Sequence, residues 1–261
     1  MARIWILPLL ALPLCLAAAC GTDSDATGAG GGGAGAGAGG AGGSAPTEEY
    51  AVVVRGPLFT DDLVAAKARH EEIVGGSREA AQAAGDLAHD VLLGTTMLDS
   101  TENEFLAIDR WNDPVAMQAF YADPDVQAAF ATLFAAPPTI EIFVRQPSWE
   151  NWGELESGDA HDPYFFHLAL GTLAAQDPEV AHAAHDQVAA GGKEPSIAAG
   201  NVAHVVFTGM ADPRRFLGVD IWSSDAPIVA FYSDPQFAAA FGPLFESVSQ
   251  PVYHSTDWSQ W

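Results

Sequence analysis

The chain has 261 residues, 34 acidic against 10 basic, and a formal charge of -24 at pH 7. That balance leaves no basic face to neutralise phosphates, so no nucleic-acid partner is expected. The acidic residues are scattered, with no D-x-[DN]-x-[DN]-G loop of the kind that binds calcium.

Residues 1–19 (MARIWILPLLALPLCLAAA) carry one early Arg3 and a short apolar run ending in small residues. This is the pattern of a secretory signal, and it is too short for a resident transmembrane helix. The run closes Leu16-Ala17-Ala18-Ala19-Cys20-Gly21. Small residues directly before a cysteine resemble the lipobox of bacterial lipoproteins, with Ala17 departing from the more usual Leu. The resemblance implies lipidation at Cys20 and an exported protein held on the bacterial cell envelope through that lipid. The alternative is an ordinary signal cleaved near Ala19, leaving Cys20 as a free thiol. The only other cysteine, Cys15, lies within the signal, so the mature chain has no internal disulfide and its core must hold it together. Residues 20–47 include GAGGGGAGAGAGGAGG, which buries no apolar area to offset its ordering entropy. This stretch reads as a flexible tether.

The first folded half spans residues 48–152. Tyr50–Leu58 is a β-branched strand. Asp61-Asp62 offer an N-cap to the helix LVAAKARHEEIV, whose stripe holds Leu63, Ala66, Lys67, His70, Ile73 and Val74. Gly75-Gly76 ends that helix, and Arg78–Ala84 is a short continuation. Leu87–Leu98 and Glu104–Trp111 form a strand pair around the turn at 99–103. Asp113-Pro114 and Asp123-Pro124 each start a helix with Pro in its first turn. Thr139–Arg145 is the fourth strand.

Residues 153–163 are a polar linker, and residues 164–261 repeat the first half. Phe105–Phe134 and Phe216–Phe245 share fourteen of thirty positions at a constant offset of 111. In this half the strand is Tyr164–Leu173, the helix is Pro178–Ala190, and Gly191-Gly192 breaks it. Val202–Met210 and Phe216–Trp222 pair, Asp234-Pro235 caps the last helix, and Gln250–Ser255 is the final strand. The halves close on similar tails, Ser148–Trp152 (SWENW) and Asp257–Trp261 (DWSQW).

Each half therefore reads β-α-β-β-α-β, the ferredoxin-like pattern. A four-stranded sheet with helices on one face leaves its other face bare, and two such sheets can cover one another. The expected fold class is α+β: two ferredoxin-like repeats packed sheet to sheet as an intramolecular pseudo-dimeric α/β barrel, and a monomer. The element order, the D-x-W phrases and the F-Y-x-D-P phrases resemble the dimeric α/β-barrel superfamily, especially its antibiotic-biosynthesis-monooxygenase-like branch. The resemblance implies a small-molecule pocket and chemistry that often needs neither metal nor cofactor. Haem-degrading relatives use an Asn on the first strand, where this chain has Val52 and Val54.

Four of the eight histidines are related by the repeat: His70 and His89 stand nineteen apart, as do His185 and His204. His89 shares strand parity with Leu87, Val91 and Leu93, and His204 shares it with Val202 and Val206. An imidazole on an apolar face must find a partner. It is either a satisfied core residue or an acid, base or ligand in a pocket. If the strand histidines face the barrel interior, His70 and His185 on the helices cannot reach them. If they face the helices, the pairs meet, and Glu79 or Glu194 could add a third ligand. The sequence has no H-E-x-x-H or C-x-x-C spacing, and neither metal nor cofactor is expected.

Asp109-x-Trp111 and Asp220-x-Trp222 also repeat, each Asp sharing a strand face with its Trp. The Asp residues are possible bases and the Trp residues possible walls for a planar ligand, or else they are helix-capping and core residues. One functional reading follows: a pocket inside the barrel for a small aromatic or apolar molecule, with cofactor-independent oxygenase or isomerase chemistry. His89, His204, Asp109 and Asp220 would be its acid/base groups, and Trp111, Trp222, His70 and His185 its lining. The other reading is a non-catalytic lipoprotein with a solid barrel that binds a protein partner through its surface.

Overall fold

The computed structural model describes residues 48–155 and 164–261. The signal, Cys20, the tether and residues 156–163 of the linker lie outside the described residues. The first half comprises β1 (Tyr50–Pro57), α1 (Leu63–Ala83), β2 (Asp86–Leu98), β3 (Glu104–Trp111), α2 (Pro114–Ala122), α3 (Pro124–Ala131) and β4 (Thr139–Arg145). The second comprises β5 (Phe165–Leu173), α4 (Pro178–Ala199), β6 (Asn201–Gly209), β7 (Arg215–Trp222), α5 (Ala226–Tyr232) and α6 (Pro235–Phe241). A 3-10 turn follows at Gly242–Leu244, then β8 (Phe245–Ser249) and β9 (Pro251–Ser255).

The first-half sheet runs β4-β1-β3-β2, the second-half sheet β9-β5-β7-β6, and all pairs are antiparallel. Two seams join them. β4 pairs with β6 through Phe143↔Gly209 and Arg145↔Phe207, and β2 pairs with β9 through Leu92↔Ser255 and Gly94↔Tyr253. Eight strands thus close a barrel, and β8 adds to the far end of β5. Closure removes the free sheet edges that would otherwise invite pairing with other chains.

Alternation decides what fills the barrel. Val53, Leu106 and Ile108 of the first half meet Leu168, Val205, Phe207, Leu217 and Val219 of the second in one continuous core. Burying each such side chain stabilises by roughly 1.5–3 kcal/mol. Opposite parity sends Val52, Phe105, Ala107 and Trp111 outward, where α1–α3 cover them.

The F-Y-x-D-P phrase has a local cause. Asp123 Oδ1 accepts from Asp125 N (2.8 Å) and Val126 N (3.3 Å), and Asp234 Oδ1 accepts from Gln236 N (2.8 Å) and Phe237 N (3.1 Å). Pro occupies the first turn of both helices, where a missing N–H costs nothing.

One expectation fails in both halves. The glycine pairs do not end the long helices: α1 runs through Gly75-Gly76 to Ala83, and α4 runs through Gly191-Gly192 and Pro195 to Ala199. A glycine costs a helix only about 1 kcal/mol, and continuing past the pair carries Ala81 of α1 into the core. The true stops are Gly85 (φ +102°) and Gly200 (φ +109°), whose left-handed backbone turns each chain from helix into strand.

Candidate functional site

The strand histidines face the helices. His89 pairs across the sheet with Asp109, and His204 with Asp220. The parity first drawn for them needs one correction. A β-bulge lies between Asp86 and Ala88, and another between Asn201 and Ala203. It turns Leu87 and Val202 out to solvent, at 48% and 44% exposed, and brings Asp86 and Asn201 onto the histidine face opposite Trp111 and Trp222.

His70 on α1 and His89 on β2 meet, with Nε2 to Nε2 at 3.1 Å. His89 Nδ1 contacts Asp109 Oδ1, and the Tyr121 hydroxyl on α2 donates to Asp109 Oδ2. The second half repeats the chain: His185 Nε2 lies 3.2 Å from His204 Nε2, and His204 Nδ1 lies 2.7 Å from Asp220 Oδ1. There His185 Nδ1 also meets Asp186 Oδ1 at 3.0 Å, and His167 Nδ1 stands 3.3 Å from Asp220 Oδ2. His185 thus has a partner at each ring nitrogen, Asp186 and His204. In the first half His70 Nδ1 is buried without a partner among the described residues.

The tails complete these sites crosswise. Trp261, at the end of the second half, stacks on His89 (4.6 Å between centroids), and Trp258 lies against His70 (5.3 Å). Trp152, at the end of the first half, stacks on His204 (4.5 Å), and Trp149 lies against His185 (5.1 Å). Each tail is held the same way. His89 N donates to Trp261 O (2.9 Å) and His204 N to Trp152 O (2.8 Å). Glu71 on α1 accepts from Ser259 N (2.8 Å), and Asp186 on α4 accepts from Glu150 N (2.7 Å). Val91 N donates to Gln260 Oε1 (3.3 Å) and Val206 N to Asn151 Oδ1 (2.8 Å).

Between the first-half sheet and α1–α3 lies a cavity of about 430 Å³, lined by Asp86, His89, Asp109, Tyr121, Val126 and Trp261 among others. The matching space in the second half, beside His204, Asp220, Tyr232 and Trp152, measures about 40 Å³. Both lie on the helix side of the barrel wall. The barrel interior, first expected to hold the pocket, is filled by apolar side chains of both halves.

Burial, and then the neighbouring His89, push His70 down to about 3, and burial with His204 pushes His185 down to about 4. Burial, and then the Asp109 charge, push Asp86 up to about 9, so it is a neutral carboxylic acid at pH 7. Burial would raise Asp220, but His204 and His167 together hold it well below the usual carboxylate range. Burial and the adjacent carboxylates, Asp109 and Asp220, keep Tyr121 and Tyr232 firmly protonated.

Of the residues singled out from the sequence, His70, His89 and Asp109 come together in one cluster and His185, His204 and Asp220 in another. Trp111 and Trp222 do not wall the cavities. Both are fully buried in the core, against Phe120 and Tyr121 or Phe231 and Tyr232. The tail residues Trp261 and Trp152 take that place. Glu79 and Glu194 are exposed, and no group of three or more His, Cys, Asp or Glu among the described residues is placed to hold a metal. Asp86, Tyr121 and His167 were not read as site residues. The signal for His167 was its alternation with Phe165 and Ala169 on an apolar strand.

No family model matches the chain, and no curated protein matches it by sequence. Solved structures do. A proposed monooxygenase from Fusobacterium nucleatum subsp. nucleatum superposes with a TM-score of 0.56 at 9% identity, covering 83% of this chain and 99% of that one. An anthrone oxidase-like protein gives 0.56 at 15% identity, covering 82% and 93%. A chlorite dismutase variant from Candidatus Nitrospira defluvii gives 0.51 at 11%, covering 80% and 91%. Matches of this extent span both halves, so the architecture shared with these proteins is the whole dimeric α/β barrel carried in one chain.

Proposed function

We propose that the first-half cavity binds a small planar, largely apolar molecule bearing a carbonyl or hydroxyl oxygen, and that it moves a proton on that molecule. The observation that carries this reading is that two carboxyl groups, Asp86 and Asp109, line one cavity together with His89, Tyr121 and Trp261, with burial raising the Asp86 carboxyl. Asp86 is neutral and can donate to the ligand oxygen. Asp109 is oriented by His89 and Tyr121 and can accept a proton from a carbon beside the carbonyl or conjugated with it through an aromatic ring. The C–H electron pair passes to the carbonyl oxygen as it takes the hydrogen bond from Asp86. This enolisation is common to an isomerase and to a cofactor-independent oxygenase, in which the electron-rich enolate then meets dioxygen. Trp261 adds an aromatic wall to the cavity, and the His70–His89 pair holds Asp109 in place. The resemblance of the fold to proteins described as monooxygenases and as anthrone oxidase-like supports the oxygenase branch.

Anthrone, whose methylene lies across the central ring from its ketone and is conjugated with it through the fused aromatic rings, is a direct probe. The full chain in deuterated buffer should exchange its methylene protons faster than buffer alone, with oxygen uptake if the oxygenase branch holds. Asp109→Asn should abolish the acceleration. Anthrone that neither binds nor exchanges faster would sink this reading. The filled barrel interior favours the second reading, a non-catalytic protein that binds a partner through its surface, and that outcome would leave it standing.

The signal and Cys20 support export and attachment to the cell envelope through a lipid, with residues 20–47 as the tether. Labelled palmitate should enter the wild-type protein and not Cys20→Ser. Equal labelling of both would refute the anchor.

A further inference from the structure

We infer that the two copies have divided roles: of the two matching spaces among the described residues, the first-half one takes a small molecule, and Phe237 is the side chain that closes its twin. The inference rests on the cavity reading above but not on its chemistry. Val126 on α3 and Phe237 on α6 occupy the same place at the constant offset of 111. Val126 lines the open cavity. Phe237 instead packs its ring 5.0 Å from Phe231, 5.5 Å from Tyr232 and 5.2 Å from Phe241. It reaches beneath α4, where a Cβ on Gly192 would lie 3.7 Å from Phe237 Cε2.

A second plug enters from the sheet. Val52 on β1 lies across from Asp109, and His167 on β5 lies across from Asp220. The His167 ring stacks on Tyr232 with centroids 3.5 Å apart, so the second-half carboxylate is met by an imidazole where the first half has only an aliphatic side chain. Phe237 therefore fills the space from the helix side and His167 occupies Asp220 and Tyr232 from the sheet side, while the hydrogen-bonded frame around it is retained.

Xenon tests cavity occupancy without presuming a reaction, because it enters apolar cavities. NMR shifts of the full chain under xenon pressure should change in the first half alone, around α1 and α3. Val126→Phe should remove that response. Phe237→Val combined with His167→Val should add a second response around α4 and α6, which decides the matter even if Val126→Phe folds poorly. Anthrone counted by native mass spectrometry should bind once per wild-type chain and twice per double variant. Responses in both halves of the wild type, or none gained by the double variant, would overturn the inference. The expected xenon pattern with no anthrone bound would uphold the division of roles and overturn the ligand reading instead.

Discussion

The two halves carry the same chain of groups, histidine to histidine to aspartate beside a tyrosine, yet they hold it in different states. In the second half both His185 ring nitrogens are engaged, by Asp186 and His204, and Asp220 is met by both His204 and His167, whose own Nε2 is without a partner among the described residues. In the first half His70 Nδ1 is without a partner among the described residues, and Asp86 stands at the cavity where the second half has Asn201. A polar network closed in by packing serves as a support, whereas one beside an open volume of about 430 Å³ can pass a proton to a ligand. The comparison suggests that duplication let one copy become a support for the barrel while the other kept its cavity.

The largest expected effect tests that asymmetry. Asp220→Asn removes the buried carboxylate that meets both His204 and His167. Breaking a buried pair in this way costs roughly 3–5 kcal/mol. Asp109→Asn should cost less, about 1–3 kcal/mol, the range for a disturbed buried hydrogen bond, because a single histidine, His89, meets Asp109. Urea unfolding of both variants at pH 7 gives the difference, and equal losses would erase the distinction between the networks.

The crossed tails come next. Trp258 is 5% exposed and packs on His70 and Phe105 of the other half. Trp258→Ala should cost about 3 kcal/mol, the low end for a buried Trp. Hydrogen exchange should place the loosened amides in α1 and β2, although the substitution lies in the second-half tail. Loosening confined to the second half would contradict the crosswise packing.

A smaller effect is read from pH. The folded-state pKa of Asp86 is raised from 3.8 to about 9. Its contribution to stability is therefore complete below 3.8 and is lost as pH rises through 9. Asp86→Asn, which copies Asn201, should remove this decline. The variant should then lose less stability than wild type between pH 5 and pH 9 in chemical denaturation. The acid limb should be unchanged. His70 and His185, depressed to about 3 and about 4, give stability that is present above 6.5 and lost as pH falls toward those values in both proteins.

Much of this frame was legible because it depends on local chemistry. Alternation in EFLAIDRW puts Asp109 and Trp111 on one face, and Asp-Pro marks each helix start through a cap that the structure shows bond by bond. The direction of that face was not legible, since it depends on which side of the sheet the helices cover. Asp86 was hidden by the bulge, which reverses parity between it and His89. The exchange of tails was hidden because its contacts cross the seams, joining Glu71 to Ser259 and Asp186 to Glu150. The likeness of SWENW and DWSQW was its only trace. Tyr121 was passed over because its phrase explains itself as a capped helix.

The smallest expected effect concerns the glycine pairs that failed to stop the helices. A Cβ at Gly75 would meet no atom within 4 Å, its backbone is helical, and it is exposed. Nothing in the folded state requires glycine there, and the equivalent position in α4 is Ala190. Gly75→Ala should therefore stabilise by about 0.4–1 kcal/mol, chiefly by restricting the unfolded chain. Gly191, equivalent to Gly76, also has open space around its Cβ, but Pro195 follows four residues later and its ring crowds the carbonyl of residue 191. Gly191→Ala should gain less, because glycine eases the backbone adjustment that the proline demands. Paired melting curves would measure the gap between the two substitutions. A loss of stability on Gly75→Ala would mean that the helix over the open cavity needs its glycine for bending, a demand the second half has given up at Ala190.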